Sequence, residues 1–330
     1  MSFEVFMSKA VAFLMSIFMT LIPYAGIELP GLSVKEDNCL LNVELISDTH
    51  TEKDGFFRHG FMKQGFRTMA NSKSPVDAVV VAGDLTNYGD EPALAQYFEL
   101  CKEYSPAPVL SVAGNHDIGH VGDRGVTDIS REEALANFIR YRNQYMGTDS
   151  DVNYCAVEIK GYKFIILGDE VIDGGHWDEI TMSPEQLEFL DAQLAEGTKD
   201  GKPVFVCCHW PIDHINGEDT IWDGSCIPGD KYAVKEILEK YKNVFYISGH
   251  MHAGIKSSLV EEKYGLSNAE QVNGVTYINL PTFGILNMFG LTHSGTGAQL
   301  EVYKDKVIFR PVNYLTGNWY TNSAHTFEIV

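Results

Sequence analysis

The stretch PVLSVAGNHD, Pro108–Asp117, decides the fold of this chain. Its apolar half is short, partly β-branched and preceded by Pro106, which is typical of a buried strand. The polar half, Gly114-Asn115-His116-Asp117, then forms a loop that leaves the carboxyl end of that strand. A strand end that carries an amide, an imidazole and a carboxylate is a candidate functional site.

Four other apolar runs of strand length end in aspartate, histidine or both. They are Leu41–Ile46 before Asp48 and His50, Ala78–Ala82 before Asp84, Val204–Cys208 before His209, and Val244–Ile247 before His250 and His252. In open α/β sheets, sites are built in the crevice at the carboxyl ends of the strands. We therefore expect the five loops to converge into one cluster. Its members would be Asp48, His50, Asp84, Asn115, His116, His209, His250 and His252.

The segments between these strands predict the fold class. Gly60–Ser72 and Glu91–Tyr104 have apolar residues at helical spacing, so strand and helix alternate through residue 113. Such alternation implies a parallel sheet with crossover helices. Later hairpins around Lys160-Gly161 and Lys304-Asp305 add antiparallel strands. The sequence therefore predicts an α/β fold with mixed sheets, in which residues 210–229 look like an irregular loop without a predicted role.

The composition fits one large domain with an acidic surface. The chain has 330 residues, of which 45% are hydrophobic, and this is enough to bury a sizeable core. The formal net charge is −20, and no cluster of lysine and arginine forms a basic stripe. This charge argues against a long nucleic acid as a partner. Six cysteines without C-x-x-C spacing predict neither a disulfide framework nor a zinc site of that type.

An uncharged apolar run, Ala10–Ile22, follows Lys9 near the amino terminus. It is shorter than a full membrane span, and small residues follow it, which is typical of a secretory signal. We expect residues 1–30 to be a signal or an uncleaved membrane anchor, so that the rest of the chain is secreted or membrane-anchored outside the cytoplasm. The alternative is a hydrophobic helix that packs on a cytoplasmic domain.

The residue types in the cluster suit metal ions. Imidazole, carboxylate and one amide carbonyl favour Mn, Fe or Zn over Ca, which prefers all-oxygen sites. The set without His116 is too large for one tetrahedral ion and suits two ions that share a carboxylate. Two dications held by Asp48 and Asp84 would leave about two positive charges, which suit a phosphate ester. Such a pair of ions activates water, so the predicted reaction is hydrolysis of a P–O bond.

Together the five blocks resemble the signature of the calcineurin-like metallophosphoesterases. The blocks are Asp48-x-His50, Gly83-Asp84, Gly114-Asn115-His116-Asp117, His209 and Gly249-His250-x-His252, in the family's order. The resemblance implies one domain over residues 38–330, a four-layer sandwich of two mixed β-sheets flanked by α-helices, with a dinuclear metal centre. His50, and Asn87 where the purple acid phosphatases have tyrosine, make the sequence unlike those phosphatases. Gly83-Asp84-Leu85-Thr86 and His209-Trp210-Pro211 are more similar to the branch that includes bacterial cyclic-nucleotide phosphodiesterases.

The resemblance also implies a role for each residue. Asp48, His50 and His252 would hold the first metal ion, Asn115, His209 and His250 the second, and Asp84 would bridge them. His116 would face the substrate and donate a proton to the leaving oxygen, while Asp117 would orient its ring.

The predicted function is hydrolysis of a small phosphate ester, more specifically a phosphodiester, by a metal-dependent enzyme. A phosphomonoesterase is the alternative within the enzyme class. A metal-bearing binding module without catalysis is the alternative outside it. The His116-Asp117 pair argues against that module, because binding alone does not need a proton donor.

Overall fold

Two β-sheets packed face to face form the centre of the molecule, and helices cover their outer faces. The structure, a computed structural model, describes residues 29–118, 129–172, 178–221, 224–255, 268–285 and 294–330. The predicted signal or anchor run, Ala10–Ile22, lies outside these residues. Within the described ranges, no helix has the length and apolar character that crossing a bilayer requires.

The first sheet joins the amino-terminal strands to the carboxyl-terminal ones. Its order is β12 (Asn318–Trp319), β11 (Lys306–Asn313), β10 (Thr296–Val302), β1 (Leu41–Ile46), β2 (Ala78–Val81) and β3 (Val109–Ser111), and β13 (His325–Glu328) pairs with β11. β1, β2 and β3 are parallel, with Val43 opposite Ala78 and Val79 opposite Val109. β10 runs antiparallel to β1, so the sheet is mixed. The carboxyl ends of the three parallel strands lie side by side.

The second sheet is also mixed. Its order is β4 (Cys155–Ile159), β5 (Tyr162–Ile166), β6 (Val204–Cys207), β7 (Val244–Ser248), β9 (Val275–Asn279) and β8 (Ala269–Val272). β5, β6, β7 and β9 are parallel, and β4 and β8 pair with them antiparallel. The loops after β6 and β7 therefore leave the same end of this sheet.

Helices occupy the predicted crossovers. They are α1 (Phe56–Ala70), α2 (Glu91–Tyr104), α3 (Asn115–Ile118), α4 (Arg131–Met146), α5 (Pro184–Gly197), α6 (Glu218–Ile221) and α7 (Val234–Leu238), and residues 321–323 form a 3₁₀ turn. Ser130 and Ser183 cap α4 and α5, since their side chains accept hydrogen bonds from the third residues of these helices.

Alternation along the central strands separates two cores. Leu41, Val43 and Leu45 of β1 pack with residues of the second sheet, such as Phe205. Residues of the opposite face, such as Val79 of β2, pack against the helices. Side chains of a strand point alternately to its two faces, so each sheet is covered on both sides. The result is the predicted four-layer sandwich.

Several elements differ from the sequence prediction. α1 begins at Phe56, before the predicted Gly60, and the loop expected after β3 starts with the single turn α3. α7 is short, and the chain after it continues in turns in which the amides of Lys240 and Tyr241 donate to the carbonyls of Ile237 and Leu238. The short strand β8 was not predicted.

Candidate metal centre

The carboxyl ends of the parallel strands of both sheets meet at one place, and all the predicted ligands lie there. The loops after β1, β2 and β3 carry the ligands of the first sheet, and the loops after β6 and β7 carry those of the second. The ligands are buried except for His252, which is half-buried. The predicted convergence of the five loops is therefore what the structure shows.

Asp48, His50, His252 and Asp84 form what we call the first ligand set. Nε2 of His252 lies 3.1 Å from Nε2 of His50 and 3.1 Å from Oδ1 of Asp48. Oδ2 of Asp84 lies 3.7 Å from Nε2 of His50. One ligand atom of each residue lies within 4.8 Å of the others. Four donors thus surround one point.

Asn115, His209, His250 and Asp84 form the second ligand set. Oδ1 of Asn115 lies 3.2 Å from Nε2 of His209 and 3.1 Å from Nδ1 of His250. The two imidazole nitrogens are themselves 3.1 Å apart. Oδ1 of Asp84 lies 3.3 Å from Nε2 of His209. Asp84 therefore directs one oxygen to each ligand set, as a bridging carboxylate does.

The donors fit divalent ions. Donors bound at about 2.1 Å in tetrahedral geometry are about 3.4 Å apart, close to the separations within both sets. Nδ1 of His209 donates to the carbonyl of Ala82 at 2.8 Å, so in the neutral ring Nε2 presents a lone pair to the second ligand set. Oδ1 of Asp48 is buried, and its contact with Nε2 of His252 does not have the geometry of a hydrogen bond. A cation is the group that satisfies such an arrangement.

The backbone is left-handed at most of the ligands. Asp48, His50 and His252 of the first ligand set have φ angles of 54°, 46° and 47°. Asp84 and His250 have φ angles of 49° and 71°. Residues other than glycine rarely adopt this conformation, although Asp and His do so more often than most. Such conformations collect at functional sites, where the surrounding structure imposes them.

Two glycines of the signature leave no room for a side chain. A Cβ atom at Gly114 would lie 2.2 Å from Oδ1 of Asp84. A Cβ atom at Gly249 would lie 1.9 Å from Oγ of Ser47 and 2.7 Å from Oδ2 of Asp48. The glycines therefore permit the close approach of the loops on which the ligands lie.

Burial and proximity shift the pKa values of the ligands. Burial lowers the pKa of His50 and of His250 well below the ordinary value, so both rings are neutral, the form that binds metal. Burial acts to raise the pKa of Asp84, but the imidazoles of His209 and His116 outweigh it and hold that pKa well below its ordinary value. Burial acts to lower the pKa of His209, but the Asp84 carboxylate raises it to about 9. A bound cation would replace the proton of His209.

His116 lies on the open side of the centre, and its side chain is 20% exposed. Its Nδ1 donates to the carbonyl of Asn87 at 2.9 Å, and its Nε2 lies 4.0 Å from Oδ2 of Asp84. The carbonyl of Asn87 therefore orients the ring toward the centre. The sequence did not predict this contact.

The predicted role of Asp117 as the partner of the His116 ring is wrong. Its two oxygens accept four hydrogen bonds, from the amides of Gly114, Leu85 and Thr86 and from the hydroxyl of Thr86. These donors saturate the carboxylate, which is fully buried. Burial and the charge of Asp84 raise the pKa of Asp117 to about 6. Asp117 thus joins the loops after β2 and β3, and its effect on His116 is indirect.

Sequence reasoning missed two residues beside the second ligand set. Oδ1 of Asp178 accepts a hydrogen bond from Nδ2 of Asn115 at 3.2 Å. Oγ of Ser225 lies 3.0 Å from Nε2 of His250 and donates to Oδ2 of Asp178. Neither residue follows a strand, so the pattern that revealed the ligands does not apply to them.

Comparison with known proteins identifies the family. The model of the calcineurin-like phosphoesterase family matches residues 41–254, which include every predicted ligand. The chain therefore belongs to the calcineurin-like phosphoesterase family, and it is a metal-dependent hydrolase of phosphoric esters. Family membership implies a dinuclear centre of divalent metal ions, for which the two ligand sets are the candidates. The assignment of individual ligands stays a prediction.

One curated relative is a protein of Xenorhabdus bovienii (strain SS-2004) that is named probable cyclic nucleotide phosphodiesterase. It is 25% identical over 178 residues, which are 54% of this chain and 61% of the relative. The match therefore spans less than two thirds of that protein's length.

Two solved structures confirm the fold. A dimetal phosphatase from Danio rerio is similar with a TM-score of 0.60 and 15% identity, over 89% of this chain and 100% of that one. A purple acid phosphatase from seeds of yellow lupin (Lupinus luteus) is similar with a TM-score of 0.57 and 14% identity, over 91% of this chain and 55% of that one. At these identities the likeness concerns the fold alone, and the fold is the predicted sandwich of two mixed sheets.

Proposed function

We propose that this protein hydrolyses a small phosphodiester at a centre of two divalent metal ions. The observation that carries the proposal is the sharing of Asp84 between two compact ligand sets, with His116 on their open side. Two bound ions supply a water of lowered pKa and stabilise the charge that develops on the phosphoryl group. The donor types suit Mn, Fe or Zn.

The protein's own contribution to the reaction comes from His116. Because Nδ1 donates to the carbonyl of Asn87, Nε2 is the nitrogen that is directed toward the substrate position. When protonated, Nε2 donates its proton to the leaving oxygen, which would otherwise depart as an alkoxide. The partial exposure of the ring gives the substrate access to this nitrogen.

Two observations support a small diester as the substrate. The relative from Xenorhabdus bovienii is named probable cyclic nucleotide phosphodiesterase. The net charge of −20 disfavours a long polyanion. A phosphomonoesterase is the second candidate, since the solved structures of similar fold are named as phosphatases.

The test compares bis(4-nitrophenyl) phosphate with 4-nitrophenyl phosphate, using metal-stripped protein to which Mn²⁺ is added back. We expect metal-dependent cleavage of the diester. Cleavage of the monoester alone would identify a phosphatase. Failure to cleave either ester by protein that holds two ions would favour the binding module.

The variant His116→Ala tests the role of the proton donor. We expect kcat for the diester to fall by about 100- to 10,000-fold, the usual contribution of general acid catalysis, with two ions still bound. His325→Ala, which removes a half-buried imidazole from β13, is the control. Undiminished turnover by His116→Ala would contradict the assignment.

We also propose that the domain lies outside the cytoplasm, because Ala10–Ile22 has the pattern of an export signal. The measurement is cell fractionation of the full chain with a carboxyl-terminal tag. Recovery in the cytoplasmic fraction with an intact amino terminus would contradict this proposal.

A further inference from the structure

The carboxylate of Asp178 lies behind the second ligand set, between two of its members. Oδ1 of Asp178 is 3.2 Å from Nδ2 of Asn115 and 3.5 Å from Nε2 of His250. Its Oδ2 accepts a hydrogen bond from the hydroxyl of Ser225, which is 3.0 Å from the same Nε2. One carboxylate thus contacts the far sides of two predicted metal ligands.

These contacts fix the orientation of both ligands. A carboxylate only accepts, so Asn115 must direct its NH₂ group to Asp178 and its carbonyl oxygen to His209 and His250. The hydroxyl of Ser225 donates to Asp178 and therefore accepts from Nε2 of His250. The proton of the neutral His250 ring then lies on Nε2, and Nδ1 presents its lone pair to the second ligand set.

Charge provides a separate argument. The first ligand set has Asp48 as a carboxylate of its own, besides the shared Asp84. The unshared members of the second ligand set, Asn115, His209 and His250, are neutral when they bind metal. Asp178 adds one negative charge next to this set, which reduces the asymmetry between the two cations.

Asp178 is itself held in place by a residue of the 210–229 segment, for which the sequence predicted no role. Nε1 of Trp210 donates to the carbonyl of Asp178 at 2.9 Å. The hydroxyl of Tyr246 in β7 donates to the carbonyl of Trp210 at 2.7 Å. Ser225 belongs to the same 210–229 segment as Trp210. The segment thus places two residues behind the second ligand set and connects them to a central strand.

We propose that Asp178 is a positioning residue for the second metal ion, acting through Asn115 directly and through His250 with Ser225 as the link. The inference rests on the two-metal hydrolase proposed above. Contacts of this kind orient a ligand, fix its tautomer and raise its basicity, and their loss typically lowers metal affinity about 10- to 100-fold. The 210–229 segment then serves to hold Asp178 and to supply Ser225.

The test is a calorimetric titration of metal-stripped protein with Mn²⁺, which measures the number and the affinities of the bound ions without an activity assay. For Asp178→Ala we expect one ion to bind as in the wild type and the other to bind about 10- to 100-fold more weakly. We expect a smaller loss for Ser225→Ala and for Asp178→Asn, which keeps an acceptor oxygen but removes the charge. Glu179→Gln removes an exposed carboxylate from the next residue and is the matched control.

Two results would overturn the inference. One is two ions with wild-type affinities in Asp178→Ala, and the other is an equal loss of both ions. Circular dichroism shows whether Asp178→Ala folds. If it does not fold, the same titration is made with Ser225→Ala. Metal affinities equal to those of the wild type in Ser225→Ala would then overturn the inference. A wild-type protein that binds fewer than two ions would contradict the proposed function instead, so the two failures are distinguishable.

Discussion

The two ligand sets each combine two imidazoles with the shared Asp84, but they are held in different ways. In the first ligand set, the backbone of Asp48, His50 and His252 is left-handed, and Nδ1 of His50 is buried without a hydrogen-bond partner. In the second ligand set, His250 and the shared Asp84 are also left-handed, but Asn115 and His209 are not, and the far sides of these two residues bond to Asp178 and to Ala82.

This difference indicates two ways of building a metal site. The loops after β1 and β7 place the donors of the first ligand set by their backbone conformation, which costs about 1–3 kcal/mol at each such residue. The second ligand set depends more on hydrogen bonds that its side chains make on the sides away from the metal position. Substitutions that disturb the loops after β1 and β7 should therefore lower the affinity for the ion in the first ligand set. Substitutions that remove the hydrogen bonds on the far sides of Asn115 and His209 should lower the affinity for the ion in the second.

The largest effect is expected from Gly114→Ala, which would remove the distinction between the two sets. The new Cβ would lie 2.2 Å from Oδ1 of Asp84, so the shared carboxylate must move. We expect both ions to bind more weakly and hydrolysis to fall by more than the roughly 100-fold that a misplacement of about 1 Å can cost. The measurements are metal content and kcat. Gly229→Ala is the control, because its Cβ would have no neighbour closer than 3.7 Å. Loss of one ion alone would contradict Asp84 as the bridge.

A smaller effect concerns the strand beneath the first ligand set. Glu44 of β1 is fully buried and accepts hydrogen bonds from Gln299 and Tyr314. Burial raises the pKa of Glu44 to about 7, from an ordinary value of 4.5. The stability due to this group is thus fully present below pH 4.5 and is lost as the pH rises through about 7. No carboxylate lies in β6, beneath the second ligand set.

Between pH 4.5 and about 7, the free energy of unfolding of the wild type should therefore fall by about 3 kcal/mol because of Glu44. We expect Glu44→Gln not to show this fall. Denaturant unfolding of metal-free wild type and variant at pH 4.5, 6 and 8 measures the difference. Glu158→Gln, at an exposed position of β4, should keep the wild-type slope. Parallel pH profiles of Glu44→Gln and the wild type would exclude the buried carboxylate as the cause.

The smallest effect should separate the two sets most cleanly. The hydroxyl of Thr282 donates to the carbonyl of Asp48 at 2.9 Å, and that carbonyl also accepts from the amide of Gly284. Thr282→Val should cost about 1 kcal/mol of loop support, and so weaken the first ion about fivefold while the second keeps its affinity. Titration with Mn²⁺ measures both constants. Thr198→Val removes a similar bond at the end of α5 and should change neither. A weakening confined to the second ion would reverse the comparison.

Much of this centre was predictable because its ligands obey one local rule. Each follows an apolar run that forms a parallel strand, and parallel strands of one sheet end together, so the convergence of Asp48, Asp84 and Asn115 followed from the sequence. The alternation of strands and helices similarly predicted the layers.

The remaining features depend on tertiary contacts that no local pattern encodes. Asp178 and Ser225 lie in loops, and only the packing of Trp210 places them beside Asn115 and His250. Asp117 was expected to orient the ring of His116, the residue before it, but the amides of Leu85 and Thr86 bond to its oxygens instead. The neighbour of Asp117 in the sequence is not its partner in space, because the loop after β2 lies against its carboxylate.

Each ligand set combines residues from both sheets, and this has a consequence for the unfolded chain. In the first ligand set, His50 and His252 are 202 positions apart, and in the second, Asn115 and His209 are 94 apart. A metal ion in each set would act as a reversible cross-link that closes a long loop of chain, and such closures restrict the unfolded ensemble more as the loop grows. The ions would thus link one sheet to the other, much as disulfides do in secreted domains, whereas the six cysteines, all of them within the described residues, form no disulfide.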